Sequence, residues 1–185
     1  IAIENARLFR DEQTKARHLT LLNNISRNAI TTLNPDEMLA NIAAALEQGL
    51  TYDHIGIGVM DYSTKEVVIQ AEAGRRRGAM GLHVPLGEGL VGQVARSGQM
   101  SVMRSLDASG AQGHVVLEGA ASAVALPLMY ADQLHGVLYV ATTEPANFTD
   151  EELRLLQTLA DFISGALHNA LSFQKAQEQA ITDGL

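Results

Sequence analysis

Apolar residues recur with two different periods along this chain of 185 residues, and the order of these periods restricts the fold more than any motif does. Residues 1–32 contain neither Gly nor Pro and are rich in Ala, Leu, Glu, Gln and Arg, which favours a long helix. From Ile55 to Val59, β-branched residues alternate with glycines, a pattern typical of a strand that is closely approached on one face. Helical segments at both ends and strands between them predict an α+β fold.

Cap and turn residues divide the chain into ten predicted elements. Asn34 precedes Pro35 in the position of a helix N-cap, and Thr149 precedes three acidic residues in the same way. Pro127 is expected to bend its strand or to lie where no ladder donor is needed. The predicted elements are helices over 1–32 and 35–49, an antiparallel hairpin of strands near 55–60 and 66–73, an extended segment at 83–86, a helix over 90–97, a short strand at 102, strands over 121–129 and 134–141, and a last helix from about 150.

The last helix carries two apolar stripes at helical spacing. One consists of Leu153, Leu156, Ala160, Ile163, Leu167 and Ala170, and the other of Leu155, Leu159, Phe162, Ala166 and Phe173. One stripe can pack on the sheet while the other meets a partner helix, so a homodimer through the terminal helices is expected. A charge at Ile163 or Leu167 should weaken that dimer if either residue faces the partner.

Composition excludes several classes of function. The chain has 13 basic and 21 acidic residues, so it lacks the cationic field that nucleic-acid binding needs. It has no cysteine, which removes disulfides, thiolate nucleophiles and thioether-linked cofactors. No apolar run reaches the ~20 residues of a membrane helix, and the N-terminus is unlike a signal peptide. We therefore expect a cytoplasmic domain without membrane contact.

No motif specifies an enzyme or a metal site. Gly87, Gly89 and Gly92 have the spacing of a dinucleotide fingerprint, but the required buried parallel strand and crossover helix are missing from the predicted elements. The six histidines show no pair at metal-ligand spacing, and only His114, in a loop, is a candidate haem ligand. Arg75, Arg76 and Arg77 are expected to form a solvated turn. No nucleophile triad or phosphate-cradling loop appears, so an enzyme is not predicted.

Four segments in sequence order resemble the signatures of the GAF family. They are residues 84–99 (VPLGEGLVGQVARSGQ), 122–128 (SAVALPL), 136–138 (GVL) and 148–153 (FTDEEL), within about residues 35–172. The resemblance implies a PAS-related antiparallel sheet of five or six strands flanked by helices, with long N- and C-terminal signalling helices and a small-molecule pocket on the other side. Family members bind cyclic nucleotides, tetrapyrroles, haem or metabolites, and some serve as dimerisation relays without a known ligand.

The resemblance also narrows the ligand. Ala141-Thr142 stands where cyclic-nucleotide members have Asn-Lys, and the absence of cysteine excludes both covalent bilin and the thiol chemistry of methionine-sulfoxide-reducing members. We therefore expect a non-covalent small molecule and no covalent cofactor. The candidate ligand-binding residues are Arg104, Asp107 and His114, in the longest segment without a clear element, and Ser122 at a strand start. The alternative is a structural relay whose core is filled.

An internal similarity bears on the context of the domain. Residues 2–9 (AIENARLF) and 166–173 (ALHNALSF) agree at four of eight positions, which predicts tandem modules joined by helices, unless two alanine-rich helices agree by chance. Residues 180–185 (AITDGL) resemble the segment that leads into a GGDEF diguanylate cyclase domain. The alternative output domain is a histidine kinase. We predict a linker helix at 1–33, the GAF domain at 34–172 and a second linker at 173–185, together a bacterial-type sensory module.

Overall fold

A computed structural model describes residues 1–32, 34–104, 117 and 119–184 of the chain. The elements are α1 (Ala2–Thr31), α2 (Pro35–Gly49), β1 (His54–Asp61), β2 (Glu66–Ala73), β3 (His83–Pro85), α3 (Gly89–Ser97), β4 (Ser101–Arg104), β5 (Ser122–Tyr130), β6 (Gln133–Thr142) and α4 (Asp150–Asp183). All ten predicted elements are therefore confirmed within a few residues. None of the helices in the described part of the chain is long and apolar enough to cross a membrane.

The strands form one six-stranded sheet in the order β3-β2-β1-β6-β5-β4, and every adjacent pair is antiparallel. This confirms the α+β, GAF-like layout. It also agrees with the rejection of a dinucleotide site, which needs parallel strands. The ladder between β4 and β5 ends at Ala125, so Pro127 lies beyond the edge strand, as expected for a residue without a backbone donor.

The glycines of the 87–92 segment serve a tight turn between β3 and α3. A Cβ on Gly92 would lie 2.2 Å from the carbonyl oxygen of Pro85, and the Gly87 N–H donates to the Gly92 carbonyl at 2.7 Å. Gly87 also has φ +92°, which side chains other than glycine rarely adopt. These glycines are thus required by close backbone contact.

The two faces of the sheet carry separate cores. Helices α1, α2 and α4 cover one face, where side chains such as Ile25, Ile42 and Leu138 are fully buried. Helix α3 lies on the opposite face, which we call the α3 side, with Val91 and Val94 packed on the sheet. Caps fix the starts of the helices: the Asn34 side chain accepts from two backbone N–H groups of α2, and Thr149 forms a reciprocal capping box with Glu152.

Helix α4 uses its first apolar stripe to pack on the sheet, which confirms one half of the prediction for this helix. Ile163 and Leu167 are both fully buried inside the domain. Neither residue can face a partner helix, so the expectation that a charge there would act on a dimer is wrong: it would disrupt the core instead. The second stripe is divided, because Leu159 is buried whereas Phe162 is 44% and Phe173 39% exposed.

Candidate functional site

Small residues dominate the centre of the α3 side of the sheet. Two cross-strand rows run over β1, β6 and β5, because residues in register on antiparallel strands share a face. We call these six positions the α3-side floor: His54, Ala141 and Ala123 in one row, and Gly56, Tyr139 and Ala125 in the other. Four of the six are Gly or Ala, so the two large polar side chains, His54 and Tyr139, have little beside them on the sheet itself.

His54 holds a buried nitrogen without a partner. The residue is only 1% exposed, and its Nδ1 lies 2.9 Å from the carbonyl oxygen of Arg76, which fixes the ring. Its Nε2 is buried and makes no hydrogen bond with the described residues. Buried polar atoms in folded proteins are nearly always paired, and leaving one unpaired costs about 1–3 kcal/mol. This nitrogen is therefore the strongest marker for a polar ligand on the α3-side floor.

Tyr139 supplies a second polar group beside His54. The two ring centroids are 5.9 Å apart, and the planes are tilted by 57°. Burial raises the pKa of Tyr139 to about 12, so the phenol is protonated at neutral pH and can donate a hydrogen bond. Its hydroxyl makes no hydrogen bond with the described residues.

A polar network holds the start of β1, and with it His54. The Asp53 carboxylate accepts from the backbone N–H of Thr143 at 2.8 Å, from its hydroxyl at 2.9 Å, and from Arg75 at 2.5 Å. The bonds from Thr143, with a smaller contribution from Arg75, lower the pKa of Asp53. Asp53 thus joins the ends of β1 and β6 to the loop after β2.

Ion pairs hold the loop after β2 in place, so this loop is more ordered than a solvated turn without such pairs. Arg75 pairs with Asp53, and Arg77 donates to both carboxylate oxygens of Glu47 on α2, at 3.0 and 2.7 Å. Both arginines remain largely exposed, as a solvated turn predicts, but each pairs with a carboxylate of another element. Surface pairs contribute little to stability, but here they hold the backbone whose carbonyl contacts His54.

The structure brings together two of the four sequence-predicted site residues. Arg104 and Ser122 are register partners at one end of the β4–β5 ladder. The Ser122 hydroxyl is buried and accepts from the backbone N–H of Ala146 at 2.9 Å, in the loop that leads to α4. Arg104 is exposed at the end of the edge strand. Asp107 and His114 lie outside the described residues, so a single ligand site built from all four stays a prediction.

A second polar cluster, which the sequence analysis missed, joins the β5–β6 hairpin to α4. His135 of β6 and His168 of α4 meet with Nε2 and Nδ1 3.2 Å apart, and the Tyr130 ring stacks on His168 at a centroid distance of 4.2 Å. A cavity of about 230 Å³ opens beside the two histidines. The two histidines are 33 positions apart in the sequence, so spacing alone does not reveal the pair. No group of three metal-ligating side chains occurs in the described ranges.

The comparison with protein families agrees with this architecture. The model of the GAF domain matches residues 32–168, which is most of the chain. The chain belongs to the GAF domain family. Searching curated protein sequences gives no match.

Solved structures share the GAF fold with this chain at low sequence identity. The GAF domain of a phosphoenolpyruvate-protein phosphotransferase from Coxiella burnetii is 22% identical with a TM-score of 0.75, covering 86% of this chain and 98% of its own. The corresponding Acinetobacter domain is 22% identical with a TM-score of 0.74. The alignment covers 83% of this chain and 94% of the Acinetobacter domain. The free methionine-R-sulfoxide reductase of Neisseria meningitidis, solved with its substrate, is 21% identical with a TM-score of 0.73, covering 84% and 90%.

These structures include GAF domains of phosphotransferases and a reductase, so the fold alone does not specify which kind of GAF domain this is. Whether the domain binds a ligand or catalyses a reaction depends on the residues of the α3-side floor.

Proposed function

We propose that this GAF domain is a regulatory sensory module that binds a small molecule non-covalently over the α3-side floor. The observation that carries the proposal is the buried Nε2 of His54, which has no partner among the described residues, beside the protonated phenol of Tyr139. A ligand that hydrogen-bonds to both would relieve the cost of the unpaired nitrogen. The residues beside them on the sheet are glycine and alanine.

The chemistry of the floor favours a largely neutral ligand. The described residues on it offer an imidazole, a phenol and apolar side chains, with no fixed charge among the six positions. Mostly apolar pockets with a few directed polar groups are typical of small-molecule sites. Arg104 and Ser122 belong to a cross-strand row that faces the other side of the sheet, with Val102 and Val124, so we do not include them in the floor. Asp107 and His114 lie outside the described residues and stay candidate ligand-binding residues.

Regulation, and not catalysis, is the role that we propose for the domain. The reductase of similar fold acts on free methionine-R-sulfoxide, as its name states, whereas this chain has no cysteine for thiol chemistry. No other nucleophile beside a base is positioned on the α3-side floor. The tyrosine and histidine there are suited to recognise a ligand through hydrogen bonds.

The path from the ligand to an output runs through β6 and α4. Tyr139 lies on β6, and α4 packs on the other face of the same sheet before it continues to Asp183. A ligand shifts the packing of α4 only if it binds one arrangement better than the other. We propose that this differential binding moves α4 relative to its neighbours and so signals to a C-terminal output domain, either a diguanylate cyclase or a histidine kinase.

A homodimer would carry that motion between two copies. Exposed apolar side chains lie on the terminal helices: Ile3, Leu8, Phe9 and Leu19 on α1, and Phe162, Phe173 and Ile181 on α4. Such a run of exposed apolar groups is typical of an interface. We propose that α1 and α4 pair with the same helices of a second copy, and that tandem modules continue through these helices.

A ligand-free relay is the second candidate, and substitution of Ala125 by Leu separates the two. If a ligand space lies over the α3-side floor, the larger side chain enters it and the free energy of unfolding falls by less than ~1 kcal/mol. If the core is filled, overpacking costs about 1–3 kcal/mol. Chemical denaturation of the purified chain measures the difference, with the same change at exposed Ala40 of α2 as the control. A large loss only at Ala125 would favour the relay.

A further inference from the structure

A β-bulge in β6 aims His135 at helix α4. In the β5–β6 ladder, Leu128 pairs with Gly136 and the next residue, Met129, pairs with Leu134, so His135 is the extra residue. A bulge places two successive residues against one and re-aims a side chain. Without it, His135 would share a face with Tyr139, four residues further on. With it, His135 points to the opposite face, where α4 lies.

The ring of His168, which contacts His135, is stacked on another aromatic side chain. Tyr130, at the end of β5, stacks on its ring, and the same phenol lies 4.0 Å from the point where a Cβ on Gly165 would stand. His168 is thus held between the hairpin and its own helix. His135 is only 8% exposed, and its Nε2 faces the Nδ1 of His168 at 3.2 Å. One nitrogen must donate and the other accept, so the contact needs at least one neutral imidazole.

The surroundings of the pair offer no counter-charge. Besides the two histidines, the titratable or charged groups that line the adjoining cavity are Tyr62 beyond β1 and Lys175 on α4. Tyr130 of β5 stacks on His168. Among the described lining residues there is no carboxylate. Tyr62 donates to the Leu134 carbonyl, and the carboxylate of Asp61 accepts from Ser63 and Thr64. Lys175 opposes a bound metal cation as it opposes a second proton, and no third metal ligand stands nearby in the described ranges.

We propose that His135 and His168 form a proton-operated latch between the β5–β6 hairpin and α4. The latch stays closed while both imidazoles are neutral or only one of them is protonated, because one of the two facing nitrogens can still accept a hydrogen bond. A second proton removes the acceptor and places two cations in contact, so the hairpin separates from α4. Burial of His135, and secondly the charge of His168, lower the pKa of His135, which places the release on the acidic side of neutrality. The two steps belong to the pair as a unit.

The latch would let pH act on the same helix that carries the output, from the face opposite the proposed ligand site. His135 and Tyr139 lie on one strand but on different faces. Opening of the latch removes the contact between the hairpin and α4 at His168, while the core contacts of Ile163 and Leu167 remain. Acid would then alter the signal without unfolding the domain.

A distance measurement between the hairpin and α4 tests this directly. The native chain has no cysteine, so spin labels at Asp132→Cys and Asn169→Cys mark only the exposed hairpin turn and the exposed face of α4. We expect a narrow distance distribution at pH 8 and a broader, longer one at pH 5. Both buffers contain EDTA, so that a bridging metal cannot account for the change. An identical distribution at the two pH values would overturn the proposal.

Substitutions of the latch histidines and of a control histidine distinguish the latch from other effects of pH. His135→Gln retains a hydrogen-bond partner for His168 but cannot be protonated, so its distribution should stay narrow at pH 5. His18→Gln removes a partly exposed histidine of α1, outside the latch, and should behave as the native chain does. If His135→Gln does not fold, His168→Phe keeps the ring stacked on Tyr130 and should remove at least half of the pH-dependent change. A full response to pH in either latch variant would contradict the latch.

Discussion

The imidazole of His54 and the phenol of Tyr139 lie side by side on the two central strands of the sheet, with ring centroids 5.9 Å apart. Their row neighbours are alanine and glycine, and the His54 Nε2 is buried without a partner in the part of the chain that the structure describes. A fold that only needed a core could fill this place with apolar side chains at lower cost. The pair is therefore the part of the molecule in which function, more than stability, accounts for the residues.

Tyr139→Phe should separate ligand binding from stability. The hydroxyl has no hydrogen bond within the described residues, so its removal should leave the free energy of unfolding unchanged or raise it by up to ~1 kcal/mol. Affinity for the ligand should fall about tenfold, the loss of one hydrogen bond. Denaturant titration and calorimetry measure the two effects. A loss of stability above ~1 kcal/mol would mean that the hydroxyl has a structural partner.

Gly136→Ala should be among the most destabilising single changes in the sheet. A Cβ on Gly136 would lie 1.9 Å from the carbonyl oxygen of Gly58 on the neighbouring strand, so the backbones must move apart. We expect a loss of about 2–3 kcal/mol in the free energy of unfolding. Gly165→Ala is the matched control. The added Cβ there meets Tyr130 at an ordinary 4.0 Å within a helix, so it should stabilise by up to about 1 kcal/mol. Equal effects of the two changes would refute this packing.

Asp53 should make the domain sensitive to acid. Its pKa is lowered in the folded state, chiefly by the hydrogen bonds from Thr143, so the folded protein favours the ionised carboxylate more than the unfolded chain does. The resulting stability is present above the unfolded pKa of about 3.9 and is lost as pH falls through the folded value. Asp53→Ala should cost about 1–3 kcal/mol at pH 7. It should also flatten the fall in melting temperature below pH 4; a slope as steep as that of the native chain would argue against this role.

The two faces of α4 should respond differently to substitution. Ile163→Ala opens a cavity in the core and should cost about 2–5 kcal/mol without affecting association of the folded chain. Phe162→Glu and Phe173→Glu change exposed side chains and should leave stability within ~0.5 kcal/mol. Both should weaken the proposed homodimer, as measured by analytical ultracentrifugation over a concentration series. A dimer unaffected by both glutamates would exclude this face of α4.

Local signals made the elements predictable, whereas the sites depend on distant pairing. Asn34 and Thr149 mark helix starts through bonds to residues two or three positions away, so the sequence alone locates them. His54 meets Tyr139 only through the register of β1 on β6. The face on which His135 lies depends on a bulge that no residue type announces. The same limit explains Ile163 and Leu167: periodicity identified a stripe but could not say which stripe the sheet would cover.

The central claim is that a small molecule binds over the α3-side floor, and native mass spectrometry of the purified chain tests it most directly. The chain is incubated with a small-molecule cell extract and measured beside Ala125→Leu and the exposed control Ala40→Leu. The account predicts a discrete added mass on the native chain and on Ala40→Leu, reduced at least tenfold on Ala125→Leu. No added mass on the native chain, or equal occupancy of Ala125→Leu, would contradict it.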